Sequence, residues 1–148
     1  MNKFLTFMLS ILVMCMCGCA KITSESVKYE DNAYKTLAIT ALTYDTVMTK
    51  LGELHTANKI DDDTAIKAIS FGKKFTPIYL TAVNALDVFI KNPTTNTKDV
   101  VVNAIRTAIA SLDELVTFSK ELGLESPDVY SLLDDDSVRS LVYSIITH

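Results

Sequence analysis

The chain has 148 residues, of which 49% are hydrophobic and 22% charged, and this balance excludes a disordered protein. Only four glycines and three prolines are present, which favours helices over a fold with many β-turns. The formal net charge of −4 disfavours nucleic acid as a partner and disfavours electrostatic binding to anionic lipid, because both need clustered lysine and arginine.

The chain begins with a short basic segment that is followed by an apolar run. Lys3 is the only charged residue among the first 18, and the run from Phe4 to Met16 contains only Thr6 and Ser10 as polar residues. A helix of this length would be about 20 Å long, which is too short to cross a bilayer. A basic start before roughly 7–15 apolar residues is the pattern of a secretory signal peptide.

The apolar run ends in Met16-Cys17-Gly18-Cys19, which resembles the lipobox of bacterial lipoproteins. Gly18 and Cys19 match that pattern, whereas Met16 replaces the usual leucine and Cys17 replaces a commoner alanine or serine. The resemblance implies that the signal peptide, residues 1–18, is cleaved after Gly18. It also implies a diacylglyceryl thioether on Cys19. Two or three acyl chains, at about 0.8 kcal/mol for each buried CH₂, would hold the protein stably at a membrane.

The residues after Cys19 give further expectations about location. Ala20 follows the cysteine, and in this family a residue other than aspartate favours the outer membrane, facing the periplasm, if the host is Gram-negative. Residues 19–26 are predicted to be the lipidated cysteine and a short polar tether, at most about 29 Å long up to Val27. The alternatives are an ordinary signal peptide or an uncleaved apolar anchor. A metal site at Cys15, Cys17 and Cys19 is disfavoured because no histidine or acidic residue lies nearby.

Residues 27–148 are predicted to form an all-α domain, an antiparallel three-helix bundle of long helices with a short C-terminal helical tail as a partial fourth helix. Turn signals at 60–64 and 92–97 separate helices at about 27–58, 63–91 and 98–122, and the tail covers about 127–146. Each long helix carries an apolar stripe with steps of three and four residues. In chain order the stripes are Tyr34, Leu37, Ala41, Tyr44, Met48 and Leu51, then Ala65, Ala68, Gly72, Phe75, Tyr79, Ala82, Leu86 and Phe89, then Val101, Ala104, Ala108, Leu112, Leu115, Phe118 and Leu122.

Polar residues at the turns predict where the helices begin and end. Asp61 or Asp62 is expected to cap the second helix and Thr97 the third, because side-chain oxygens of these types accept bonds from free helical N–H groups. Gly123 is expected to adopt the left-handed conformation that ends the third helix.

Pro77 and the tail leave two alternatives open. Pro77 removes a backbone hydrogen bond inside the second helix, so we expect a kink near 73–76 or two shorter helices. A harmless bend is the favoured interpretation, and a widened gap that accepts a ligand is the alternative. The tail is expected to pack on the bundle, although its exposure as a patch for a partner is also possible. Its apolar stripe consists of Val138, Leu141, Val142, Ile145 and Ile146.

No residue pattern predicts catalysis, a cofactor or a metal. His55 is the only histidine in the domain body, and we expect it to complement the dipole at the end of the first helix. The acidic runs at 61–63 and 134–136 lack the alternate spacing of a calcium loop. The leading prediction is a non-enzymatic structural or protein-interaction module of the bacterial cell envelope, with a membrane and an envelope protein as partners and a prophage as one candidate origin of the gene. The alternative is a periplasmic carrier of a lipid or another apolar ligand between the helices.

Overall fold

The computed structural model describes residues 24–125, together with Asp136 and Ser140, which are helical and exposed. This part of the chain contains three helices, α1 (Ser24–Thr56), α2 (Asp62–Lys91) and α3 (Thr95–Glu121). Each helix contacts the other two, so the predicted all-α three-helix bundle is confirmed. The predicted signal peptide, Cys19 and, apart from the two residues named above, the partial fourth helix at 127–146 lie outside the described residues.

Contacts at the two ends of the bundle show how the helices run. Tyr29, near the start of α1, packs edge-on against Phe89 near the end of α2, with 5.0 Å between ring centroids. The Tyr29 hydroxyl also donates to the Lys98 carbonyl at the start of α3, at 3.4 Å. α2 is therefore antiparallel to both α1 and α3. The other end is filled by side chains from all three helices, namely Val47, Leu51, Ala68, Phe75, Leu112, Leu115, Val116 and Phe118.

The first helix begins earlier than predicted. α1 starts at Ser24, so the last three residues of the predicted tether are helical. No glycine or proline lies between Ala20 and Leu51, so nothing in this polar segment interrupts a helix. The helix ends at Thr56, two residues before the predicted end, because Asn58 takes a left-handed φ of 53°. The Lys59 N–H then donates to the Leu54 carbonyl, which closes the last turn.

The helix caps are partly as predicted. The Asp61 side chain accepts from the Thr64 N–H at 2.8 Å, and Gly123 has the expected left-handed φ of 78°. The prediction for α3 is wrong, because Thr94 and not Thr97 is its N-cap. The Thr97 hydroxyl instead accepts from the Thr94 N–H, and the Thr94 hydroxyl accepts from the Thr97 N–H, so the two threonines bond each other's backbone.

The buried face of α1 differs from the predicted stripe. Leu37 and Leu51 are buried, but Tyr34 is 67% exposed, and its prediction as a core residue is wrong. The face of α1 that packs against the other two helices includes several polar side chains. A threonine can be buried at low cost where its hydroxyl bonds a carbonyl of the preceding turn. The inward-facing residues of α1 are Tyr29, Asn32, Ala33, Thr36, Leu37, Thr40, Thr43, Val47 and Leu51.

The three buried threonines of α1 fall into two groups. The hydroxyls of Thr36 and Thr40 donate to carbonyls four residues earlier, at 2.8 and 2.7 Å. The Thr43 hydroxyl is buried without a hydrogen-bond partner among the described residues, as is that of Ser111 on α3. A buried hydroxyl that makes no bond keeps its desolvation cost.

We therefore expect Thr43→Val to raise the free energy of unfolding by about 1 kcal/mol, because valine has the same shape and no hydroxyl. Thr40→Val is the matched control, since its hydroxyl is already bonded, and should bring no gain. Urea denaturation followed by circular dichroism measures both. Equal effects of the two substitutions would contradict the assignment of Thr43 as the unsatisfied group.

Pro77 does not divide the second helix. α2 runs without interruption from Asp62 to Lys91, so the prediction of two shorter helices is wrong. The missing bond to the Lys73 carbonyl costs about 3 kcal/mol in an isolated helix. Packing of the long apolar face of α2 against both other helices outweighs that loss. The predicted stripes of α2 and α3 are otherwise confirmed, with Ala65, Tyr79, Ala104 and Leu122 half-buried and the other members buried.

Candidate functional site

The predicted lipidation site is close to the bundle in sequence. Gly18 and Cys19 lie outside the described residues, and α1 begins five residues after Cys19. Five extended residues span at most about 18 Å. The end of the bundle that contains the α1 N-terminus and the α2–α3 turn is therefore the end to which the predicted lipidation site is joined.

A small cavity marks this end of the bundle. It has a volume of about 210 Å³ and is lined by Ser26, Tyr29, Phe89, Pro93, Thr94, Thr95 and Lys98. The ammonium of Lys98 stands 4.9 Å from the centre of the Tyr29 ring. Burial, with a smaller contribution from the Asp99 carboxylate, raises the pKa of Tyr29 from 10.0 to about 12. The neutral phenol is thus the form that this packing favours.

The raised pKa predicts a loss of stability at alkaline pH. A phenol that ionises more readily in the unfolded chain contributes stability that is complete below pH 10 and is lost as the pH rises toward 12. Over that interval the wild-type protein should lose up to about 2 kcal/mol more unfolding free energy than Tyr29→Phe, which has no group to ionise. Denaturant titrations at several pH values test this. Parallel curves for the two proteins would show that the tyrosine is not responsible.

An open groove between α1 and α2 lies beside Pro77, where a widened gap was the less favoured of the two interpretations of the sequence. It holds about 500 Å³ and is lined by Tyr44, Met48, Ile69, Gly72, Lys73, Thr76 and Pro77. The Tyr44 ring stacks on Phe75 with 4.5 Å between centroids, and it forms one wall. A Cβ placed on Gly72 would stand 2.5 Å from the Tyr44 hydroxyl oxygen, so the absence of a side chain at Gly72 is what admits this ring.

His55 joins two helices. It lies in the last turn of α1, as predicted, and its Nε2 is 2.8 Å from Oδ1 of Asp62 at the start of α2. Both side chains are substantially exposed, so the bond adds little stability. The contact between His55 and Asp62 links the end of α1 to the start of α2.

The acidic run at 61–63 caps α2 and forms its first turn. The bond from Thr64 lowers the pKa of the exposed Asp61 carboxyl, since the cap favours the charged form. Asp62 and Asp63 occupy the first turn, where the helix dipole favours negative charge. Within residues 24–125 and at the two described tail residues, no three side chains of histidine, cysteine, aspartate or glutamate come together as a metal site. The run at 134–136 lies outside the described residues except for Asp136.

The largest feature that was not predicted is a second stripe on α2, on its outer surface. Five of its side chains are aliphatic, and the exposed fraction of the isoleucines and the leucine lies between 46% and 63%. Steps of three and four residues alternate along it without a break, as they do in the buried stripe. We call this exposed stripe the α2 seam, and it consists of Ile66, Ile69, Lys73, Thr76, Leu80, Val83, Asp87 and Ile90.

The same periodicity could have revealed the seam from the sequence, because two offset stripes on one helix indicate two packed faces. Tyr34 of α1 lies beside it, close enough to Tyr79 to add to the effect of burial in raising the pKa of that residue. The seam and the Pro77 groove share Ile69, Lys73 and Thr76, so they form one continuous surface.

None of the described helices is long and apolar enough to cross a membrane. Comparison of the chain with protein-family models, with curated proteins and with solved structures finds no match.

Proposed function

We propose that the protein is a lipoprotein of the bacterial cell envelope, in which lipid on Cys19 holds a helical bundle at a membrane, with the outer membrane as the favoured location if the host is Gram-negative. The bundle acts there as a non-enzymatic module that binds another envelope protein. The observation that carries the proposal is the segment Met16-Cys17-Gly18-Cys19 at the end of a short apolar run.

The distance between Cys19 and the bundle supports this assignment. Because α1 begins at Ser24, the lipid would hold the bundle within about 18 Å of the bilayer surface. The long exposed sides of the bundle would then be presented to neighbouring molecules. Such exposed helical sides can serve as docking surfaces for another protein.

Membrane attachment is tested by fractionating cells that produce the wild-type chain or Cys19→Ala. The wild-type protein should sediment with membranes and float with them in a density gradient. Cys19→Ala should lose processing at Gly18, and Cys17→Ala should keep both processing and flotation, because alanine is common at that lipobox position. Equal flotation and processing of the wild-type and Cys19→Ala proteins would refute the lipid anchor.

The second candidate function is a carrier of an apolar ligand, and the groove at Pro77 is the observation that favours it. The groove is bounded by Tyr44, Met48 and Ile69, and about 500 Å³ is enough for part of an acyl chain. Native mass spectrometry of the wild-type protein, freed from detergent in the gas phase, should then show a bound mass beyond that of the lipid anchor. Met48→Lys should remove that mass, whereas Leu42→Lys, on another face of α1, should keep it. A ligand-free spectrum for the unaltered groove would exclude the carrier.

A further inference from the structure

The α2 seam has the geometry of a helix-pairing surface that is separate from the core of the bundle. All eight of its positions are exposed, and they span residues 66–90, which is about 36 Å of helix. Alternating steps of three and four place them at the a and d positions of a heptad pattern. A second helix with the same spacing can pack on such a pattern, because the side chains of each helix fit into the spaces between the side chains of the other.

The two charges in the seam indicate which helix that is. Lys73 and Asp87 occupy equivalent positions two heptads apart, with Leu80 midway between them. In a parallel dimer, Lys73 would face Lys73 of the second copy and Asp87 would face Asp87, so like charges would repel each other. An antiparallel copy brings Lys73 of each chain within one helical turn of Asp87 of the other, so the seam is complementary to itself in only one direction.

Side-chain sizes agree with the same arrangement. A two-fold axis between Thr76 and Leu80 sets the large Leu80 of one copy opposite the small Thr76 of the other. The Pro77 groove opens beside Thr76 and provides the space that this leucine needs. At the ends of the seam, Ile66 of one copy meets Ile90 of the other.

We propose that the protein forms a two-fold symmetric dimer in which the α2 seams of two copies pack antiparallel. The Asp87 carboxylate already accepts from Lys91 of its own helix at 2.6 Å. A carboxylate has acceptor sites for more than one donor, so it keeps that bond while Lys73 of the second copy lies within one helical turn of it. Tyr34 and Val88 flank the seam, are 67% and 53% exposed, and extend the apolar contact on either side.

The dimer is tested by sedimentation equilibrium of the full chain in a detergent matched to the solvent density, so that only protein mass is measured. At a protein concentration on the order of 100 µM, the wild-type chain should show twice the mass of one chain, which is 16.3 kDa before processing. Leu80→Asp should show the mass of one chain. Leu42→Asp makes the same change at a 60% exposed site on α1 and should leave the dimer intact.

The orientation is tested by exchanging the two charges. Lys73→Asp and Asp87→Lys should each raise the dissociation constant about tenfold or more, because like charges then meet twice in each dimer. The double substitution should restore it to within about threefold of the wild-type value, since opposite charges face each other again.

Circular dichroism of every variant separates loss of pairing from loss of folding. A wild-type mass of one chain, or a Leu80→Asp protein that remains dimeric while folded, would overturn the dimer. A folded double variant that pairs no better than the single ones would overturn the antiparallel arrangement.

Discussion

Replacing Leu112 with alanine should lower the free energy of unfolding by about 3–4 kcal/mol. Leu112 lies in the middle of α3, is fully buried, and packs in the cluster that also contains Val47 and Phe75. Alanine would leave a cavity between three helices that are each held by other contacts, so the bundle cannot close around it. Chemical denaturation with a two-state fit measures the change.

Val100→Ala on the same helix is the control for the Leu112 substitution. Val100 is 51% exposed, and alanine favours helix slightly more than valine does. The control should therefore change the unfolding free energy by no more than about 0.5 kcal/mol. A loss of less than 1 kcal/mol for Leu112→Ala would show that the side chain is not held in a packed core.

The second large effect is expected at Gly72, which packs against the Tyr44 side chain of α1. Gly72→Leu should lower the free energy of unfolding by about 3 kcal/mol, because even the first carbon of a side chain would stand 2.5 Å from the Tyr44 hydroxyl oxygen. The new side chain must displace the stack of Tyr44 on Phe75 or separate the helices.

Gly52→Leu provides the matched comparison, since Gly52 lies within α1 and a Cβ there would meet nothing within 4 Å. It should raise the unfolding free energy by about 0.5–1 kcal/mol through helix propensity alone. Gly72→Ala combined with Tyr44→Phe should recover much of the loss that Gly72→Ala causes by itself, because removing the hydroxyl relieves the contact. Similar stabilisation by Gly52→Leu and Gly72→Leu would contradict the close approach.

The sequence predicts α2 and α3 well because nearly all of the residues buried there are apolar, and the exceptions among the described residues are Ser111 and Ser119 of α3. Phe75, Leu86 and Leu112 fall on the predicted stripes and are buried in the structure. Their spacing is enough to identify the buried face of each helix.

The buried face of α1 could not be read in the same way. Thr36, Thr40 and Thr43 are polar by type, so the apolar pattern selected a face that includes Tyr34. Hydrogen bonds from Thr36 and Thr40 to their own helix are what make burial of that side acceptable, and such bonds are a property of the folded backbone.

The surface of the two candidate sites was only partly predictable for a different reason. A gap at Pro77 was only the less favoured interpretation of a single proline, because the walls of the Pro77 groove depend on how Tyr44 and Met48 of α1 are placed against α2. The α2 seam was missed because one helix carries two stripes of the same period. Which stripe faces the core is decided by tertiary packing.

The central claim is that Cys19 carries the lipid that holds the bundle at a membrane, and the intact mass of the mature protein tests it most directly. Protein extracted from membranes should begin at Cys19 and carry the added mass of a diacylglyceryl group, with or without a third acyl chain. Mild alkali should remove the ester-linked acyl chains and leave the thioether-bound glycerol. An unmodified chain that retains residues 1–18, or one cleaved elsewhere without lipid, would contradict the account.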